Sequence, residues 1–424
     1  VIASKYPVLY GADVNRPFYI YNLLEEIDSP GEYYIDREKR ILYLYPPEDF
    51  HDIYLSVHET SGFFTLYYAS NVEIRDITMK CGRYRAVTIS GGENNLVENC
   101  EIYNFANHGV YIGGGQNNGV KNCVIHDNNR GVYLSGGNRE NLVLGNNFIK
   151  NCDIYSNDRI SKTYSPGVEV HGVGNIVAHN KIHEAEHDLI ELSGNENVIE
   201  YNEIYNGVTD SDDAGALYSC RNATFRGNEI RYNYFHDIGG GKSGEWGRQA
   251  IFLDDFMSSA HIYANVFNKI GGAAVKLAGS DNVVENNIIA DCMTAPTAID
   301  VQRRYYSDNN ATPELFESLA AVPYKGSVWS EKYPELLSYI GSDGLLTTGS
   351  NIIVRNNIIY NAKEVLVDSV IKSKGVFEDN IVFEENPGFS DYDNGDFSLN
   401  SNAYAYNKLP NFKNIPFKEI GIEK

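Results

Sequence analysis

Short apolar stretches alternate with polar residues along most of the chain. Val110-Tyr111-Ile112, Val132-Tyr133-Leu134, Val168-Glu169-Val170 and Val275-Lys276-Leu277 each set one outward residue between two inward ones. Period-two alternation predicts strands with one buried face. A glycine usually follows (Gly113, Gly136, Gly172, Gly194, Gly279), as a chain reversal with positive φ requires. A second phrase joins an apolar pair, a polar step and Asn. It recurs at Leu96-Val97-Glu98-Asn99, Val120-Lys121-Asn122, Ile176-Val177-Ala178-His179-Asn180, Val198-Ile199-Glu200-Tyr201-Asn202, Val283-Val284-Glu285-Asn286 and Ile352-Ile353-Val354-Arg355-Asn356. Its intervals, 122 − 99 = 23 and 202 − 180 = 22 residues, define the repeat. Two or three short strands per repeat predict an all-β solenoid, a parallel β-helix with coils stacked about 4.8 Å apart around a dry interior. The recurrent Asn side chains are expected to form an internal amide ladder, a structural role. The Leu-x-x-Leu-x-Leu signature of leucine-rich repeats is missing, and a propeller blade needs about 40 residues.

Three regions follow from this pattern. Residues 1–63 form an N-terminal segment whose hairpin, within Phe18 to Pro46 and turning at Asp36-Arg37-Glu38, is expected to cap the open end of the solenoid. The solenoid itself runs over 64–384. An insertion at about 303–350 interrupts it, with a helix over Thr312 to Leu319, signalled by an N-cap and a following Pro, and a second short helix over Ser330 to Ile340. This insertion either decorates the solenoid or walls a groove. Residues 385–424 form an irregular tail packing on the solenoid.

Composition narrows the possible partners. With 57 Asp and Glu against 35 Lys and Arg, the net charge is −22. Such a polyanion repels nucleic acid and acidic membrane surfaces but not a polysaccharide. No apolar run approaches the ~20 residues of a bilayer span. The chain opens on Val1 without a leader-like stretch, which predicts a processed start. The 38 Gly and 32 Tyr, with only 3 Met, suit strands and tight turns. Cys100, Cys123, Cys152 and Cys292 recur in one repeated context and are expected to be small buried fillers rather than disulfides or metal ligands.

In-register stacking lines up outward residues of successive coils. The expected column is Tyr111, Tyr133, Glu169, Glu191, then the coil of Asp212 and Asp213, then Asp254 and Lys276. An isolated surface acid is ordinary, whereas stacked acids repel, shift one another's pKa and call for a use. The doublets Asp212-Asp213 and Asp254-Asp255 are 254 − 213 = 41 residues apart, but the Gly239–Gly244 loop accounts for the excess and makes their coils adjacent. Asp213 and Asp254 are then expected roughly 5 Å apart, the separation used by retaining glycosidases. Glu169, His171, His187, Glu191, Arg221, Arg248, Phe252 and Lys276 are expected around them, with Trp246 as a sugar-stacking platform. His179, His183 and His187 have the spacing of a zinc-binding helix but fall in strands and turns, so no metal site is expected. No Gly-x-Ser-x-Gly elbow, His-Glu-x-x-His or Walker loop occurs.

The runs Asp212-Asp213-Ala214-Gly215-Ala216-Leu217-Tyr218, Arg226 to Ile238 and Leu253-Asp254-Asp255 resemble right-handed parallel β-helix glycoside hydrolases. The resemblance is nearest to glycoside hydrolase family 141, whose activities include xylanase and α-L-fucosidase, and more distant to family 120 β-xylosidases. It extends to Glu26 to Asp36, Val322-Pro323-Tyr324 and Tyr333-Pro334-Glu335. It implies retaining hydrolysis of a plant-type polysaccharide (xylan or a fucosylated glycan) or its oligosaccharides. Asp254 would be the nucleophile and Asp213 the acid and base, with Asp212, Asp255 and Lys276 in support. The family 120 acid falls at Lys276 here, which departs from that pattern. No cofactor is expected, although Ca²⁺ is compatible with the fold. The substrate class implies a secreted or periplasmic protein that engages neither nucleic acid nor membrane. Two other readings stay open: a polysaccharide lyase on the same fold, with Lys276 or His171 as base, and a non-catalytic carbohydrate-binding solenoid.

Overall fold

The computed structural model describes residues 22–56, 62–242, 244–292, 295, 297–302, 313–340 and 350–423. Phe18 to Tyr21 of the expected hairpin and Thr312 of the expected helix lie outside these residues. Residues 1–55 form one unit. In it, Tyr33–Asp36 pairs antiparallel with Ile41–Leu44, and the Asp36 side chain accepts the Lys39 N–H at 2.8 Å in the turn.

Residues 56–424 form the second unit, a solenoid. A representative coil runs Leu96–Glu98, a one-residue corner at Asn99 (φ 54°), Glu101–Phe105, a turn, and His108–Gly113. The first two strands of each coil belong to a 20-stranded sheet and the third to an 11-stranded sheet, counted among the described residues. Register fixes the period. Leu96 pairs with Gly119 and Ile176 with Val198, offsets of 119 − 96 = 23 and 198 − 176 = 22 residues. Inward residues such as Val97, Ile102, Val110 and Ile112 are fully buried in a core continuous from coil to coil.

The amide ladder lies one residue away from part of the expected set. Asn180, Asn202, Asn233 and Asn265 are buried, each Nδ2 donates to the next Oδ1 at 2.9–3.1 Å, and the ladder continues through Asn287 and Asn357 to Asn380. Asn99, Asn122, Asn286 and Asn356 are instead the left-handed corners, a conformation Asn tolerates. The ladder position follows each corner. Cys100, Cys123 and Cys152 hold it in the early coils, where the Cys123 N–H reaches Cys152 Sγ at 3.4 Å and the Cys152 N–H reaches Asn180 Oδ1 at 2.9 Å. Buried thiols thus continue the amide column with a weaker acceptor.

The insertion forms helices Pro313–Ala320 and Ser327–Lys332 and a 3₁₀ turn Pro334–Ser338. Leu315, Trp329, Tyr333 and Leu336 pack against Ala223 and Phe256, beside the C-terminal ends of 11-stranded-sheet strands. Arg226, buried beneath, pairs with Glu335 (Nε–Oε1 3.1 Å) and Asp281. Phe389, Phe397, Leu399 and Phe412 of the tail cover Ala264, Val266, Ile288 and Ile358 on the outer side of the larger sheet.

Candidate functional site

The 11-stranded sheet presents one outward residue per rung. A single register column holds Thr88, Tyr111, Tyr133, Glu169, Glu191, Tyr218, Phe252, Lys276 and Asp300. Tyr218 and Phe252 stand where the aspartate doublets were expected. Strands Ala214–Ser219 and Arg248–Leu253 are six residues long, and the doublets flank opposite ends of this pair. Ala214 pairs with Arg248, which sets Asp213 beside Gly247, while Ser219 pairs with Leu253, which sets Asp254 beside Cys220. The 254 − 247 = 7 residues of extended chain between them amount to about 20 Å. The doublets do lie on adjacent coils, but Asp213 and Asp254 cannot flank one glycosidic bond, which needs at most ~9.5 Å.

The column is half-buried at Tyr111, Tyr133 and Glu191, where its early rungs reach the surface. The Arg85 guanidinium lies 3.6 Å over the Tyr111 ring, Tyr111 stacks on Tyr133 at 4.4 Å, and Tyr133 stacks on His171 at 4.7 Å. His171 Nδ1 meets the Ser193 hydroxyl at 2.5 Å. Behind this stack Arg130 Nη1 donates to Glu169 at 2.6 Å, His108 Nε2 lies 3.1 Å from it, and His171 Nε2 lies at 3.7 Å. Gly131 permits the close approach, since a Cβ there would meet the Gly167 carbonyl oxygen at 2.1 Å. Burial alone would raise the Glu169 pKa, but His108, His171 and Arg130 outweigh it and hold the carboxyl far below the usual carboxylate range. Glu191, one rung on, is pushed up by burial and then by the Glu169 and Asp188 charges. Burial, followed by Tyr111, also raises Tyr133, so its hydroxyl stays protonated. Alongside, Asp188 is fully enclosed and raised by that burial, its Oδ2 2.9 Å from His187 Nδ1, with the Tyr164 ring 4.7 Å from the imidazole.

The later rungs are covered. Tyr218 donates to Asp254 at 3.3 Å, and the Asp254 carboxyl is itself buried. Phe252 is 0 % exposed and offers no face to a sugar. Lys276 Nζ lies 4.7 Å over that ring and donates to the Trp246 carbonyl at 3.0 Å. The Asp212 carboxylate accepts the N–H groups of Glu245 and Trp246 at 2.7 and 3.1 Å, and Arg248 donates to the carbonyls of Val208, Thr209, Asp210 and Gly239. Asp212 and Arg248 therefore pin the glycine-rich loop. Arg221 pairs with Asp255 at 3.3 Å, and the Trp246 indole remains 62 % exposed. Among the described residues no three His, Cys, Asp or Glu side chains are grouped to hold a metal ion.

Of the expected residues, the early-rung region gathers Glu169, His171, His187 and Glu191. It adds Arg85, His108, Arg130, Tyr164 and Asp188, which the pattern reading passed over. His108 and Arg130 carried a signal: His108-Gly109-Val110-Tyr111, Arg130-Gly131-Val132-Tyr133 and Pro166-Gly167-Val168-Glu169 share one frame, and the residue before its glycine leads into the groove.

The family model for the right handed beta helix region matches residues 49–165 and 166–314, and the chain belongs to that family. No curated protein matches the chain. Among solved structures, the chain is similar to a mannuronic acid specific polysaccharide family 6 lyase from human gut microbiota, at 14 % identity and TM-score 0.40 over 76 % of each chain. It is similar to the PL6 family alginate lyase AlyGC, at 12 % and 0.41, over 83 % of this chain and 55 % of that one. A PL6 family polysaccharide lyase from Pseudopedobacter saltans gives 10 % and 0.34, over 84 % and 99 %. Likeness at this level carries no residue role across. The glycoside-hydrolase expectation is corrected: the aspartate pair it required lies about 20 Å apart along the paired strands. The resemblance to families 141 and 120 likewise reduces to the shared β-helix.

Proposed function

We propose that the protein is a polysaccharide lyase that binds an acidic, uronate-containing chain along the early rungs of the column and cleaves it by β-elimination. The supporting observation is the Tyr133–His171 pair, stacked at 4.7 Å with the Arg130 guanidinium beside it. A uronate C5–H becomes removable once its carboxylate charge is neutralised. Arg130 donates from Nη1 to Glu169 and has further N–H donors for that carboxylate. His171 then takes the C5 proton, the electron pair forms the C4=C5 bond, and the O4 substituent leaves. Tyr133, kept protonated, delivers a proton to the departing oxygen. Three rung steps from Tyr111 to Glu191 span about 14 Å, room for a short run of sugar units. Such a polymer lies outside the cytoplasm, and we place the protein there, secreted or periplasmic.

The test is incubation with polymannuronate, polygalacturonate and glucuronan, following ultraviolet absorbance. The expected result is a rise from the conjugated double bond with at least one polymer. New reducing ends without that absorbance, or binding without any cleavage, overturn the reading.

A further inference from the structure

The two stacked carboxyls of the groove are not equivalent. Glu169 is enclosed by Arg130 at 2.6 Å, His108 at 3.1 Å and His171 at 3.7 Å. Glu191 pairs with it in register on the next rung, turned outward between the buried Ile190 and Leu192. Among the described residues it has no hydrogen-bond or ion-pair partner, so its carboxyl is free to meet a ligand. Glu169 faces it from the preceding rung, Tyr218 from the next and Asp188 from the turn before its own strand, with the His171 and Arg130 charges acting more weakly.

We propose that Glu191 selects acidic sugars by donating a hydrogen bond from its carboxyl group to the carboxylate of a bound uronate. A hydrogen bond with an ionised acceptor is among the stronger polar contacts available. Burial and the ionised Glu169 favour the protonated form, which a polyanionic ligand would favour further. Once ionised, Glu191 repels the same ligand. Arg130 and Glu191, two rungs apart with Glu169 on the rung between them, would thus approach the substrate carboxylate from either side, one as a cation and the other as a neutral donor. The inference rests on the lyase reading only in placing an acidic chain in this groove.

The test is calorimetric binding of a uronate pentasaccharide across pH, in the Tyr133→Phe background so that no turnover intrudes. Affinity should fall as pH rises through the Glu191 titration. Glu191→Gln, near-isosteric and still a donor, should bind within about threefold of the parent at acidic pH and lose that part of the fall. Glu191→Ala should bind about tenfold more weakly at acidic pH. A neutral xylo-oligosaccharide should bind all three alike. If Glu191→Gln keeps the parental pH profile, or binds as poorly as Glu191→Ala, the inference is wrong. Glu191-dependent binding without any ultraviolet-absorbing product sinks only the lyase reading. Elimination by a protein whose binding ignores Glu191 sinks only this one.

Discussion

Two stacks of aromatic side chains climb this solenoid, and they end differently. On the larger sheet Tyr103, His126, Tyr155, His183, Tyr205 and His236 stack over six coils, with centroids 4.4–5.0 Å apart and planes within 14°. Each imidazole there has a carboxylate neighbour: Asp127 at 2.7 Å, Asp153 at 3.0 Å and Asp237 at 2.8 Å. In the groove the stack runs Arg85, Tyr111, Tyr133 and His171, and then stops. Glu169 and Glu191 take over its column with opposite pKa shifts. Rung spacing creates both ladders. Where every rung repeats the same pairing, the polar groups satisfy one another; where the repeat breaks, bonding capacity is left over for a ligand. The break is where we propose the site.

That contrast can be tested from its largest effect to its smallest. Tyr133→Phe and His171→Gln should each lower turnover by roughly 10²–10⁴-fold, the usual worth of a proton-transfer group. Tyr155→Phe and His183→Gln, on the other ladder, should stay within about twofold, measured as initial rates of ultraviolet absorbance. Next is Glu169→Gln, which leaves Arg130 without its buried partner and should cost about 3 kcal/mol at neutral pH by urea titration. The sign with pH follows from the lowered pKa. The stabilising charge is fully present above the ordinary carboxylate value and is lost as pH falls through the folded value. Stability should therefore drop on acidification in the parent and drop less in the variant. Asn202→Ala removes two donors and an acceptor from the amide ladder and should cost about 1–3 kcal/mol. Smallest is His183→Ala, which opens a gap between Tyr155 and Tyr205 and should cost about 0.5–1.5 kcal/mol with turnover unchanged.

The solenoid was readable because each coil must bury the same face, which forces the apolar pairs and the near-22-residue period onto the chain. The phase of the Asn motif was not. Val-Glu-Asn99 and Val-Ala-His179-Asn180 look alike, yet Asn99 corresponds to His179, the corner, and Cys100 to Asn180, the ladder. Tyr111, Tyr133, Glu169 and Glu191 were readable as one column because strict alternation sets the azimuth. The aspartate doublets were misplaced because the azimuth of a residue beyond a strand depends on where that strand ends. The six-residue pair Ala214–Ser219 and Arg248–Leu253 puts one doublet before it and the other after it. Arg85 and Tyr164 reach the groove from turns between strands, where side-chain direction does not follow from periodicity.

The most direct measurement is the crystal structure of Tyr133→Phe soaked with an acidic oligosaccharide. The sugar should lie across Phe-substituted position 133, His171 and Glu191, with a carboxylate within hydrogen-bond reach of Arg130. Sugar bound only along the Tyr103–His236 ladder, or turned so that no C5 hydrogen approaches His171, would contradict the account.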